Sequence, residues 1–257
     1  VSDLQAEMLG VIEHAIANAP RSLQKAIGPS EIGHPCARRI AYKLAGAPEV
    51  NTGRVPWKPA IGTAVHAWLD ETFTAANARQ PDFDTTGGRY LCEVRVDVGE
   101  IAGQTITGSC DLRTPEESLD FKIVGDPTLR RVKKEQHPGQ QYRIQGHLYG
   151  RGWQRMGRPV KTIGVWFLPR NQELRQAYLW TEPYDEQVAI EALARAESIA
   201  SLVQRFGVAA AGALPMTEAY CSGCPFFRAN STDLTQGCPG VIKAKDPAAE
   251  FAGLLAS

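Results

Sequence analysis

Near residue 89 the hydrophobic period of the chain changes from that of helices to that of strands. Across residues 89–97, Tyr90, Cys92, Val94 and Val96 alternate with Glu93, Arg95 and Asp97, the period-two pattern of a half-buried strand. Two more strands are predicted at 106–112 and 118–124, then a helix at 140–156, strands at 162–168 and 175–180, and a long helix at 184–206. Upstream the period is helical. Leu4, Met8, Val11, Ile12 and Ile16 mark a helix over 3–18, and Ser30 is placed to cap a second that runs through Ile40 and Leu44 to Gly46. Beyond a Pro/Gly-broken loop at 51–59, Ile61, Val65, Leu69 and Phe73 form the stripe of a third. Strands enclosed by helices predict an α/β fold.

Composition narrows the functional classes. A chain of 257 residues that is 43% hydrophobic can bury a sizeable core, and 28 basic against 28 acidic residues give no global charge to attract nucleic acid or a membrane surface. The acidic, amphipathic start and the lack of any run near eighteen apolar residues predict a soluble, cytoplasmic protein without a membrane partner. Charge is nonetheless segregated. Residues 121–175 hold twelve Lys and Arg against three Asp and Glu.

Between the second and third strands, Thr114-Pro115-Glu116-Glu117 reads as a turn, and a turn centred between Pro115 and Glu116 sets Asp111 across from Asp120. Alternation puts Asp120 and Lys122 on one face and Leu119, Phe121 and Ile123 on the other. Carboxylates facing each other across a sheet repel unless both are solvated or a cation lies between them. An exposed Asp-Asp-Lys patch is the plain reading. The chemical one is a hard divalent ion, Mg²⁺ or Mn²⁺, held by oxygen ligands beside a lysine.

Gly62-Thr63-Ala64-Val65-His66, Gly108-Ser109-Cys110-Asp111, Asp120-Phe121-Lys122 and Gln145-Gly146-His147-Leu148-Tyr149 follow in that order. The series resembles the RecB-type branch of the PD-(D/E)xK nucleases, with its GxxxH, GxxD, (D/E)xK and QxxxY patterns, over roughly residues 60–150. The resemblance implies a restriction-endonuclease-like core with a central mixed sheet flanked by helices. It implies that His66, Asp111, Asp120 and the backbone carbonyl of Phe121 bind catalytic metal, that Lys122 is the catalytic lysine, and that Gln145 and Tyr149 line the site. Glu93, on the preceding strand, is a further candidate ligand. Cys110 stands where the superfamily name has proline.

Six cysteines are too sparse for a disulfide scaffold in a chain of this size. Cys221-Ser222-Gly223-Cys224 and Cys238 near one end, with Cys36 near the other, suit either Zn²⁺ or a [4Fe-4S] cluster. The pattern is similar to the CRISPR-associated iron-sulfur nucleases and the AddB-type nuclease domain, which implies the cluster, with residues 226–237 bulging between the last two ligands. Cys92 and Cys110 alternate with apolar strand positions and read as buried thiols. The expected organisation is a helical region at 1–56 supplying one cluster cysteine, a nuclease core at 57–206, and a cysteine-rich segment with an Ala/Leu tail at 207–257.

The run Arg130, Arg131, Lys133 and Lys134 is expected in a loop after the catalytic strand, where it can grip phosphates without reading bases. Trp68, Trp153 and Trp166 offer rings on which bases could stack but are expected in the core. The combined expectation is metal-dependent hydrolysis of DNA phosphodiester bonds, and the family resemblance implies an exonuclease acting on single- or double-stranded DNA with a free end. The rivals are a catalytically silent DNA-binding or scaffold protein of the same fold and a zinc-stapled nuclease. Polarity, pathway and any helicase or recombination partner are not readable from the residues.

Overall fold

A computed structural model describes residues 3–19, 26–52, 57–79, 88–217 and 220–241; the Ala/Leu tail lies outside them. Five strands, β1 (Leu91–Ile101), β2 (Gln104–Arg113), β3 (Glu117–Val124), β4 (Thr162–Pro169) and β5 (Tyr178–Pro183), form one sheet in chain order. β1, β2 and β3 pair antiparallel, β3 and β4 parallel, and β4 and β5 antiparallel. The sheet is therefore mixed, as expected. A parallel neighbour requires a crossover, and α5 (Asp126–Glu135) and α6 (Gln140–Arg155) supply it.

Two helical layers enclose the sheet, consistent with a restriction-endonuclease-like core. On one face α6 and α7 (Glu186–Phe206) bring Ile144, Leu148, Trp153, Ala192 and Ile199 against Val96, Val98 and Ile106. Ile144 and Leu148, one turn apart on α6, are thus core. On the other face α4 (Trp57–Asn77) packs Val65, Leu69 and Phe73 on Leu112 and Phe121. Pro59 lies in the first turn of α4, where a missing N–H removes no helix bond. At the far end, the Asn77 side chain accepts from Tyr90 N at 2.8 Å and donates to its carbonyl, fixing α4 to the start of β1.

Several expectations need correction. The predicted helix 30–46 is two helices, α2 (Pro29–Ile32) and α3 (Ala37–Leu44), because Pro35 cannot continue a helix. Ser30 sits inside α2, and Gly28 is its N-cap, with its N–H on the Glu31 carboxylate at 3.3 Å. The basic run is not a loop: it is α5, started by Gly125 and Pro127 and buried through Leu129 and Val132. Arg175 belongs to a 3-10 turn, Leu174–Gln176, and not to the strand that follows. Helix α1 (Asp3–Ala17) forms as expected, yet its apolar stripe is exposed, with Leu4, Met8 and Val11 on the surface. Trp153 is fully buried and Trp166 packs beside Phe121, but Trp68 is 59% exposed. Two residues past His66, it is rotated about 200° around the helix, away from the sheet.

Candidate active site

The site forms where α4 and α6 approach the middle of the sheet from opposite sides. The β2–β3 register, Leu112 opposite Leu119 and Arg113 opposite Ser118, extended by one residue sets Asp111 across from Asp120 as the turn predicted. There the ladder stops. Instead, the Phe121 N–H donates to Asp111 Oδ2 at 2.6 Å, so a side chain takes over from the backbone at the site.

Asp111 Oδ1 is 3.4 Å from His66 Nδ1, and Glu93 Oε1 is 3.8 Å from the same nitrogen. One donor atom from each of His66, Glu93 and Asp111 falls within 4.8 Å of the other two. Burial disfavours a charged His66, but the carboxylates of Asp111 and Glu93, with Asp120 behind them, outweigh it and raise its pKa to about 9. Glu93 has φ 49°, the left-handed region that non-glycine residues avoid. It falls between the pairs Cys92–Leu112 and Val94–Cys110, opposite Asp111, and this strained backbone sits where the ligand set converges.

Asp120 and Lys122 share a face as alternation predicted. Lys122 Nζ lies 2.5 Å from Asp120 Oδ2, and Gln145 Nε2 donates to Asp120 Oδ1 at 2.8 Å. Asp120 Oδ2 is buried and accepts no hydrogen bond of good geometry despite the close ammonium. Burial raises the Asp120 pKa against the pull of Lys122. Burial also opposes the Lys122 charge, but Asp120 and Asp111 outweigh it and hold the ammonium. Asp120 is not within the tight His66–Glu93–Asp111 group; its oxygens are turned to Gln145 and Lys122.

Gln145 and Tyr149 are buried beneath this pair. Burial, followed by the charges of Asp120 and Asp111, raises the Tyr149 pKa and keeps the phenol a donor. Tyr149 neighbours Gln145, yet Gln145 Oε1 has no hydrogen-bond partner of standard geometry. Gly108 explains its own place in the GxxD pattern: a Cβ there would stand 2.8 Å from the Pro29 ring and 3.2 Å from Tyr149. Gly62 faces open space, so packing does not require it. His147, inside the QxxxY motif, is structural. Its Nε2 meets Glu182 Oε1 at 2.5 Å and its Nδ1 accepts from Asp185 N at 3.2 Å.

The sequence reading missed Tyr142. It lies one helical turn before Gln145, and its ring centroid is 4.9 Å from Lys122 Nζ. The i, i+3 relation to Gln145 was the available signal.

Cys36, Cys221, Cys224 and Cys238 line one cavity with His34 and Arg39. Cys36 is the N-cap of α3, and Cys221 opens a 3-10 turn that ends at Cys224. The chain between Cys224 and Cys238 does bulge, then returns: Phe227 bridges Cys238, and Cys238 N donates to Phe226 O at 2.8 Å. None of the six cysteines is in a disulfide. Among the described residues, no three of the four cavity sulfurs lie within 4.8 Å of one another. Cys110 is fully buried, which raises its pKa to about 12, and Cys92 is partly buried, raised to about 11.

On α5, Arg130, Arg131 and Lys134 are exposed and Lys133 partly so. Arg131 pairs with Glu135 at 2.7 Å, and Lys133 donates to Gln176 at 3.3 Å.

No family model and no curated protein matches the chain. Among solved structures, an alkaline exonuclease (LHK-Exo) from Laribacter hongkongensis is similar at 14% identity, covering 68% of this chain and 90% of its own, with a TM-score of 0.39. LHK-Exo in complex with dAMP is similar at 16% identity, covering 69% and 91%, with a TM-score of 0.37. The geometry above stands independently of these two likenesses. Among the described residues, no helix is long and apolar enough to cross a membrane.

Proposed function

We propose that this chain is a divalent-metal-dependent deoxyribonuclease, an exonuclease that works from a DNA end, carrying a structural [4Fe-4S] cluster. The observation that carries the nuclease reading is the convergence of His66, Glu93 and Asp111 within 4.8 Å next to the Asp120–Lys122 pair. One imidazole with carboxylate oxygens suits Mg²⁺ or Mn²⁺. The residues also fit an ion electrostatically: carboxylates concentrate at one point, and His66 is drawn into its cationic form among them. His66, Glu93, Asp111, Asp120 and the Phe121 carbonyl would hold it, with His66 giving up its proton on binding. When bound, the ion supplies Lewis acidity at the scissile phosphate and acidifies the attacking water.

The chain's own residues do the rest. Asp111 fixes β3 through Phe121 N–H, and Gln145 orients Asp120. Lys122, held as an ammonium, orients the water and stabilises negative charge on the phosphate. The exposed cations of α5, beyond the C-terminal end of β3, draw in the backbone without base preference.

The four cysteines line one cavity, a set that suits either Zn²⁺ or a [4Fe-4S] cluster, and the family resemblance favours the cluster. Tetrahedral Zn²⁺ with Zn–S near 2.3 Å would bring its sulfurs to about 3.8 Å from one another. A cluster would interpose irons and sulfides between the thiolates, and metal analysis of the purified protein separates the two cases.

The test is digestion of end-labelled linear and covalently closed DNA, each with Mn²⁺ or with EDTA. Mn²⁺-dependent release of nucleotides from linear DNA, with closed circles intact, is the expected result. Equal cutting of circles would replace the exonuclease by an endonuclease, and no cleavage with retained DNA binding would favour a silent scaffold.

A further inference from the structure

The four-motif pattern leaves Lys122 with a single assigned neighbour, Asp120, yet a second group touches the ammonium. We propose that Tyr142 is a positioning residue for the nuclease reaction, its ring face holding the Lys122 ammonium in place over the site. The inference rests on the nuclease reading above and adds a residue to it.

The geometry is specific. Lys122 Nζ lies 4.9 Å from the Tyr142 ring centroid, inside the distance at which a cation is attracted by the negative face of an aromatic ring. The lysine side chain is 17% exposed, and removal from water strengthens that attraction. The ring is itself fixed. Phe167, the β4 partner of Lys122 in the parallel register, lies 6.2 Å away at an interplanar angle of 56°. Tyr142 therefore wedges between α6 and two neighbouring strands, and one turn later on the same helix Gln145 grips Asp120. A single helix thus sets both members of the pair: Gln145 the carboxylate, Tyr142 the amine.

A flexible four-carbon lysine without the ring keeps its Asp120 partner but gains other rotamers, so the ammonium leaves the reacting phosphate for part of the time. Ground-state DNA binding does not depend on it. The loss therefore falls on kcat and not on KM.

The experiment compares wild type, Tyr142→Phe and Tyr142→Leu, with thermal melting on each. Tyr142→Phe, which keeps the ring, should retain kcat within about twofold. Tyr142→Leu should lose at least about tenfold in kcat with KM for DNA little changed. In ¹³C-lysine-labelled protein, the Lys122 ε-CH₂ signal, assigned with Lys122→Arg, should sit upfield in wild type and Tyr142→Phe and return to the ordinary lysine position in Tyr142→Leu. Equal kcat in Tyr142→Leu and wild type would overturn the proposal, as would a Lys122 signal at the ordinary position in wild type. A wild type inactive on every DNA would refute the nuclease reading instead, and the lysine signal would still report whether the ring holds the ammonium.

Discussion

The Asp111 carboxylate accepts the Phe121 backbone N–H at 2.6 Å with one oxygen while its other oxygen faces His66 at 3.4 Å. One side chain thus closes the sheet and builds the site. These two roles separate by substitution. Asp111→Asn keeps an acceptor for Phe121 N–H and should change stability by less than about 1 kcal/mol, whereas Asp111→Ala leaves that N–H buried and unpaired at a cost of about 1–3 kcal/mol. Both should abolish cleavage. Urea unfolding beside a nuclease assay separates the two variants.

Glu93 trades stability for position. Its left-handed backbone, φ 49°, stores about 1–3 kcal/mol of strain, which glycine would not carry. Glu93→Gly should therefore melt no lower than Glu93→Gln, even though glycine removes the whole side chain. Both should weaken Mn²⁺ binding in calorimetric titration. Metal affinity equal to wild type in Glu93→Gln would remove this residue from the ligand set.

The strand hairpin was legible because alternation and turn length are local: the turn at 114–117 sets the register, and the register sets Asp111 against Asp120. Helix α5 was not, because only Leu129 and Val132 mark its apolar face among charges, too few for a periodic signal. The grouping of the four cysteines was legible through the family resemblance, but the contacts that bring them together were not. Their convergence depends on Arg195, which donates to the carbonyls of His34 and Pro35 at 3.0 Å, and on Asn51, which donates to those of Ser222 and Cys224 at 3.0 Å. Backbone carbonyls have no sequence signature. Glu93 was visible only as an acidic strand residue, since its aim comes from a backbone distortion.

Helix α5 should act as a phosphate clamp. Replacing Arg130, Arg131, Lys133 and Lys134 by Gln should weaken DNA binding evenly across sequences and lower the slope of log K against log salt by about one for each phosphate no longer neutralised. Arg131 and Lys133 already have protein partners, so Arg130 and Lys134 should account for most of the change. Fluorescence anisotropy at several salt concentrations measures it; an unchanged slope would place the DNA elsewhere.

The cysteines fall into two classes. Ser in place of Cys36, Cys221, Cys224 or Cys238 should deplete iron and sulfide together. Cys110→Ser should keep both, at a cost toward the lower end of about 1–3 kcal/mol, because Ser118 Oγ, 3.3 Å from Cys110 Sγ, can pair with the new hydroxyl. Elemental analysis should find about four irons per chain. One zinc and no iron would replace the cluster and leave the nuclease untouched.

His147 makes stability depend on pH. Burial lowers its pKa, and the Asp185 N–H on Nδ1 occupies the site a second proton would need. The unfolded chain binds that proton near the ordinary histidine value of about 6.5, so below it the unfolded state gains protons that the fold refuses. The His147 contribution to stability is full above about pH 6.5 and falls as pH drops. Thermal melts of wild type at pH 7.5 and 5.5 should differ more than those of His147→Gln; parallel losses would contradict the assignment.

Cleavage of end-labelled linear DNA in Mn²⁺ by purified wild type and Lys122→Ala, each assayed well below its melting temperature, decides whether Lys122 serves the reaction. Lys122 acts in the chemistry and its loss also leaves the buried Asp120 carboxylate unpaired, so wild type should degrade the strand while the folded variant loses at least about a hundredfold in rate and still binds DNA. Undiminished cleavage by Lys122→Ala would contradict that role.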